Sequence, residues 1–135
     1  MPHPAQDVLV AEARRVRARA YAPYSAYRVG AALLAEDGRI SCGVNVENAA
    51  YPTCVCAEVN ALSTAVAAGA RRFVAIAIVT DPGPDGRAGG PCGNCRQALA
   101  EFGLDLEILL ATDDAIVQTY RLSDLLPEAF TPAHL

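Results

Sequence analysis

Two short stretches of this chain could do chemistry together: Cys56-Ala57-Glu58 and, further on, Pro91-Cys92-Gly93-Asn94-Cys95. Three thiols suit a zinc ion, which favours a tetrahedral shell of sulfur and nitrogen ligands. Four protein ligands usually make such a site structural. Three leave a position for water, which the metal turns into a nucleophile near neutral pH. The carboxylate two residues after the first thiol offers an acid/base beside that water, and so changes a metal-binding reading into a catalytic one.

The spacing has a physical logic. Cys92 and Cys95 lie three apart, so on the first turn of a helix both thiols face one side. Backbone N–H groups at a helix start favour thiolate over thiol, and Cys56 can use the same device on a helix of its own. Two helix starts converging on one metal would partly offset the surplus negative charge of three thiolates. Positions i and i+2 do not share a helix face, so Cys56 must sit at the helix edge and Glu58 must bend back toward the metal. The Cys-x-x-Cys pair by itself also fits a thioredoxin-like redox pair or half of a structural zinc knuckle. A redox pair has no need of the third cysteine and its Ala-Glu, and a structural site wants a fourth ligand. His3 and His134 lie at the termini. Cys42 and Cys54 remain as fourth-ligand candidates, although each reads more simply as a small buried or partly buried thiol.

The elements that must position these residues follow from periodicity. Val8, Leu9, Ala13, Val16 and Ala20 predict an amphipathic helix over 5–21, ended by Pro23. A strand from Tyr27 to Ala35, a turn at Glu36-Asp37-Gly38 and a strand from Arg39 to Val46 make a hairpin. Cys56 to Ala68 is a buried helix with Gly69 as its C-cap. Phe73 to Thr80 is a central strand covered on both faces. Residues 81–91 contain three prolines and four glycines and read as a loop. Then come a helix from Cys95 to Phe102 stopped by Gly103, strands at Leu104–Ala111 and Ala115–Tyr120, and a short turn at Leu122–Leu126. The expected fold is α/β, a three-layer α/β/α arrangement with a central mixed five-stranded sheet, in one domain spanning 1–135.

Composition narrows the partners. The 135 residues are 53% hydrophobic and 19% charged, with 11 basic against 15 acidic side chains and a net charge of -4. That balance argues against nucleic acid, whose binders show a basic patch or stripe. Arg14, Arg15, Arg17 and Arg19 form the one dense basic run and read as a solvated helix face. No apolar stretch approaches the roughly 20 residues of a membrane span. Met1-Pro2-His3-Pro4 lacks the basic and apolar regions of a signal peptide. A reducing, cytoplasmic setting follows, in which the five cysteines are free or metal-bound.

Further motifs surround the thiols: Ala22-Pro23-Tyr24-Ser25, Val29-Gly30-Ala31-Ala32-Leu33, Gly43-Val44-Asn45-Val46-Glu47-Asn48-Ala49-Ala50-Tyr51, Cys95-Arg96-Gln97 and Leu125-Leu126-Pro127-Glu128-Ala129-Phe130. In this order the chain resembles the small, homotetrameric cytidine deaminases, and the likeness covers most of its length. The resemblance implies one Zn2+ per chain on Cys56, Cys92 and Cys95, with Glu58 as the acid/base that is not a ligand. Water activated at the metal attacks C4 of cytosine. Glu58 carries its proton to ring N3 and later helps protonate the departing amine. The Ala57 N–H meets O2 of the base, Asn45 and Glu47 grip the ribose 3′-hydroxyl, and Tyr27 flanks the base. Phe130 reaches into a neighbouring subunit's site, while Ala49 and Tyr51 match substrate-site or interface positions. The implied substrates are free cytidine and deoxycytidine, and the implied role is pyrimidine salvage.

Three departures stand out against that family. Val59 replaces an arginine that in many relatives hydrogen-bonds the thiolates, Tyr27 replaces a frequent phenylalanine, and Cys54 adds a thiol close to the ligands. Blasticidin-type deaminases share the cysteine elements but not the Asn-x-Glu pair. Editing deaminases more often carry His-Ala-Glu and call for basic surface.

Overall fold

Strand β1 (Gly30–Ala35) is apolar throughout and buried at every position. Its alternate side chains serve two cores: Ala31 and Leu33 face one, Ala32 and Leu34 the other, as the two-residue period of a pleated strand requires. The computed structural model describes residues 5–135, and for 116 and 117 the backbone only. Met1–Pro4, with His3 and the signal-peptide reading, lie outside the described residues. A turn with Gly38 at φ 93° joins β1 to β2 (Ile40–Val44). With β3 (Phe73–Val79), β4 (Glu107–Ala111) and β5 (Ile116–Arg121) they form one sheet in the order β2-β1-β3-β4-β5. The β3–β4 pair is parallel and the others are antiparallel.

Helix α1 (Gln6–Arg17) lays Leu9, Val10 and Ala13 on one face of the sheet. Helices α2 (Ala57–Ala67), α3 (Gly93–Ala100) and α4 (Leu122–Leu125) cover the other. The expected three-layer α/β/α fold with a mixed five-stranded sheet is therefore present.

Several boundaries differ from the sequence expectation, each because a distant partner outcompetes local periodicity. Helix α1 stops at Arg17, not at 21, because Tyr21 is drawn into backbone pairing. Its N–H donates to Asn45 O at 3.0 Å, and its carbonyl accepts from Glu47 N–H at 2.9 Å. Strand β1 starts at Gly30 rather than Tyr27, since Asn45 holds the preceding segment. Asn45 Oδ1 accepts from Val29 N–H at 2.9 Å and Nδ2 donates to Tyr27 O at 2.8 Å. Leu104 and Leu106 lie before β4 and use their carbonyls to accept from Ser123 and Leu122. The basic run of α1 is only partly solvated. Arg17, 13% exposed, pairs with Asp81 and Asp113 and donates to Arg28 O, while Arg14 donates to Thr112 O.

One contact sets how closely α2 lies on the sheet. A Cβ on Gly43 would stand 2.3 Å from Ala61 N and 2.4 Å from Ala57 O, both backbone atoms of α2. Only glycine permits that approach, and Asn60 reinforces it by donating to Val44 O at 2.8 Å. Overpacking of this kind is worth about 1–3 kcal/mol, so Gly43→Ala should lower stability by that amount in urea unfolding. Gly93→Ala is the control, because an added carbon there meets nothing within 4 Å. Its effect should stay within about 0.5 kcal/mol.

Candidate metal centre and active site

Helices α2 and α3 both begin at a cysteine. Cys56 is the N-cap of α2 and Cys92 the N-cap of α3, each with extended backbone, and Cys95 follows in the first turn of α3. Helix α3 thus starts two residues before its expected position. Neither N-cap cysteine makes a side-chain capping bond. The sulfurs turn toward one another instead. Cys56 Sγ lies 3.8 Å from Cys92 Sγ, which lies 3.5 Å from Cys95 Sγ, and all three fall within 4.8 Å. Bonds of 2.3 Å to a tetrahedral zinc would space sulfurs about 3.8 Å apart. The trio therefore fits zinc, as three of its four ligands.

The other candidate ligands have different partners. Cys42 on β2 lies 3.9 Å from Glu12 Oε2, and Cys54 Sγ accepts from Asn48 N–H at 3.2 Å. His134 stacks on Phe130 with ring centroids 5.3 Å apart. Among the described residues, one cluster of possible metal ligands closes on a point, and it has three members.

Glu58 sits at the second position of α2 and is only 5% exposed. Burial pushes its carboxyl above the usual carboxylate range, opposed by bonds to its own backbone N–H and to the Cys95 thiol. Taken alone, the sulfurs share protons. A hydrogen bond from Cys95, acting against burial, draws the Cys56 thiol down to about 6, and the same bond is the first cause pushing Cys95 up. Val59 is half-buried, and among the described residues no cationic side chain hydrogen-bonds a sulfur of the trio. The positive ends of two helices are what faces the thiols.

A cavity of about 170 Å³ opens onto the metal ligands, lined by Tyr27, Val29, Asn45, Cys56, Ala57, Glu58, Ile78, Thr80, Gly90 and Cys92. It brings together Tyr27, Asn45, Ala57 and Glu58 with two of the three thiols. Ala57 is fully buried at the first position of α2, where the backbone N–H has no partner within the helix. Glu47, Ala49, Tyr51 and Phe130 are not in that lining. Tyr51 is 69% exposed, edge-on to Tyr24, and Phe130 is 57% exposed.

Asn45 and Glu47 both hold backbone. Glu47 Oε1 accepts from the N–H groups of Tyr24 and Ser25, and Oε2 accepts from the Ser25 hydroxyl. The Ser25 hydroxyl is the first cause holding the Glu47 carboxyl below its usual range. Each oxygen has two lone pairs and the amide two N–H bonds, so one acceptor site on Oε2 and one donor on Asn45 Nδ2 stay available.

Ile78, Thr80 and Gly90 line the cavity without having been singled out in the sequence, and Val29 was named only as part of a motif. Thr80 had a usable signal, as the first polar residue after the apolar run of β3. Its buried hydroxyl accepts from Gly89 N–H at 2.8 Å and donates to Asp81 O at 2.9 Å, anchoring the loop that leads to Cys92.

The family model for the cytidine and deoxycytidylate deaminase zinc-binding region matches residues 4–111. A cytidine deaminase from Sporosarcina psychrophila is 44% identical over 131 residues, covering 96% of this chain and 93% of that protein. The crystal structure of a cytidine deaminase from Burkholderia pseudomallei matches with a TM-score of 0.86 at 44% identity, over 96% of this chain and all of that one. That from Mycobacterium tuberculosis gives 0.78 at 42% identity, over 92% of this chain and 95% of the other.

Elemental analysis of purified protein should find one zinc per chain. Cys56→Ala, Cys92→Ala and Cys95→Ala should each lose most of it, while Cys42→Ala and Cys54→Ala should keep it. Full zinc content in the first three variants would refute the ligand set.

Proposed function

This chain belongs to the family of zinc-binding cytidine and deoxycytidylate deaminases, and we propose which of its residues carry that chemistry. The reaction is hydrolytic: cytidine and water give uridine and ammonia. Residues 1–135 act as one catalytic unit, with zinc on Cys56, Cys92 and Cys95. Zinc, when bound, supplies a Lewis acid that makes water nucleophilic near neutral pH. Water adds at C4 of the base and the C4–N4 bond breaks. Glu58 takes the proton that water gives up, passes it to N3, and then helps protonate the departing amine. The observation that carries this reading is a buried carboxylate two residues after one of three sulfurs spaced for zinc, with the carboxylate and two of the sulfurs lining an open cavity.

The remaining residues bind and orient. Ala57 N–H donates to O2 of the base, and the Tyr27 ring flanks it. Asn45 Nδ2 donates to the ribose 3′-hydroxyl, and Glu47 Oε2 accepts from it. The free donor on Asn45 and the free acceptor on Glu47 suit one hydroxyl, and no separate reader for the 2′ position is evident among the described residues. Deoxycytidine is therefore a substrate alongside cytidine, in pyrimidine salvage.

Four chains assemble, with Phe130 reaching a neighbour's site and Ala49 and Tyr51 at the substrate side or the interface. The exposed rings of Tyr21, Tyr24, Tyr51 and Phe130 support this, since monomers rarely leave large apolar patches open. No described helix is long and apolar enough to cross a membrane, and the unpaired cysteines suit the reducing cytoplasm.

Glu58→Gln should retain zinc and fold but lose about 10²–10⁴-fold in turnover, read as ammonia release from cytidine. With wild type, 2′-deoxycytidine should react well and 3′-deoxycytidine poorly, and Glu47→Ala should narrow that difference. Equal efficiency for cytidine and its 3′-deoxy analogue would overturn the roles of Asn45 and Glu47. Multi-angle light scattering should report a tetramer, and an active monomer would refute the shared site.

A further inference from the structure

The two residues after the third thiol are tied to separate parts of the chain. Arg96, half-buried on α3, donates from Nε to Pro91 O at 2.8 Å and from Nη1 to Leu125 O at 2.7 Å. Gln97 donates from Nε2 to Phe130 O at 2.9 Å. Pro91 is covalently next to Cys92 and Arg96 next to Cys95, so one guanidinium links both thiol positions to the end of α4. A guanidinium offers its donors in a fixed planar fork, which lets it hold two carbonyls in one geometry.

Beyond α4 the chain forms a hook. Leu125 and Leu126 pack against the core, and the backbone then takes a left-handed step at Glu128, φ 55°. A short 3₁₀ turn at Pro132–His134 stacks the His134 ring on Phe130. Among the described residues, the hydrogen bond tying the stretch beyond Leu126 to the body is the one from Gln97.

We propose that Arg96 and Gln97 are positioning residues that couple metal loading at Cys92 and Cys95 to the order of residues 126–135. With the metal held, the start of α3 is fixed, and Arg96 and Gln97 with it. Through them the hook that presents Phe130 is fixed too. Coupling between two sites is reciprocal, so loosening the hook must also loosen the metal. The proposal rests on the assignment of zinc to the three thiols and deepens it. The metal governs an aromatic that lies outside its own cavity.

The test uses the zinc-loaded protein. Amide hydrogen exchange over 126–135 is followed by mass spectrometry before and after chelation, and zinc release to a chromogenic chelator is timed. Wild type, Arg96→Gln, Arg96→Lys and Gln97→Ala are compared. Chelation should speed exchange in 126–135 of the wild type while the β1 and β3 amides stay protected. Arg96→Gln should release zinc faster, by up to about the 10–100-fold that removing a direct hydrogen-bond partner of a metal ligand costs in affinity. Arg96→Lys, which keeps the charge without the fork, should fall between. Gln97→Ala, which leaves the bond to Pro91 intact, should exchange fast beyond Leu126 even with zinc bound. It decides the matter if Arg96→Gln does not fold. Exchange in 126–135 that ignores both chelation and Gln97→Ala would overturn the coupling, as would Arg96→Gln holding zinc as firmly as wild type. A wild-type protein without zinc is a distinguishable result, since it removes the metal assignment itself.

Discussion

A missing carbon sets the geometry of this site. Because Gly43 has no side chain, β2 and α2 meet backbone to backbone. Cys56, Ala57 and Glu58 stand at the start of that helix, and Asn45 and Glu47 come directly after that strand. One contact thus fixes the distance between the end of the site proposed for metal and proton transfer and the end proposed for the sugar. Misplacement by about 1 Å can cost on the order of 100-fold in rate, so positioning by packed backbone is worth more than positioning by side chains that must each be held in turn. Asn45 carries the same frame outward by fixing the segment from Tyr27 to Val29.

The second constraint is charge. Three thiolates on a divalent cation leave net negative charge, and a buried carboxylate stands next to it. Each helix start presents the equivalent of roughly half a positive charge, and two of them converge here. Val59 contributes none, and Arg96 directs two of its donors to carbonyls. The electrostatic support for the centre is thus largely backbone, built into the fold and present wherever the two helices form.

Locality explains how much could be read in advance. The trio was legible because helix-start chemistry is local: a spacing of three places Cys92 and Cys95 on one turn, and the awkward i+2 spacing of Glu58 already required Cys56 at the edge. The strands were legible from apolar runs. The end of α1 was not, because Tyr21 pairs with Asn45 and Glu47, residues far away in sequence. Arg17 looked like a surface charge because its acids, Asp81 and Asp113, stand 64 and 96 residues along the chain. Gly90 enters the cavity through the path of a loop, which periodicity does not describe. The motif likeness pointed to Asn45 and Glu47 as readers of a hydroxyl. It gave no sign that each holds a piece of backbone in place.

Both helices that carry the ligands lack a side-chain cap at their first residue. A serine or aspartate there typically adds about 1 kcal/mol over a residue that cannot cap. The chain forgoes that help twice, at the two places where the sulfurs are needed for metal. A cysteine lost at either position removes a sulfur but no capping bond, and a serine or aspartate in its place would cap the helix and leave the metal site one ligand short. At each of these two helix starts, metal ligation and capping compete for a single residue.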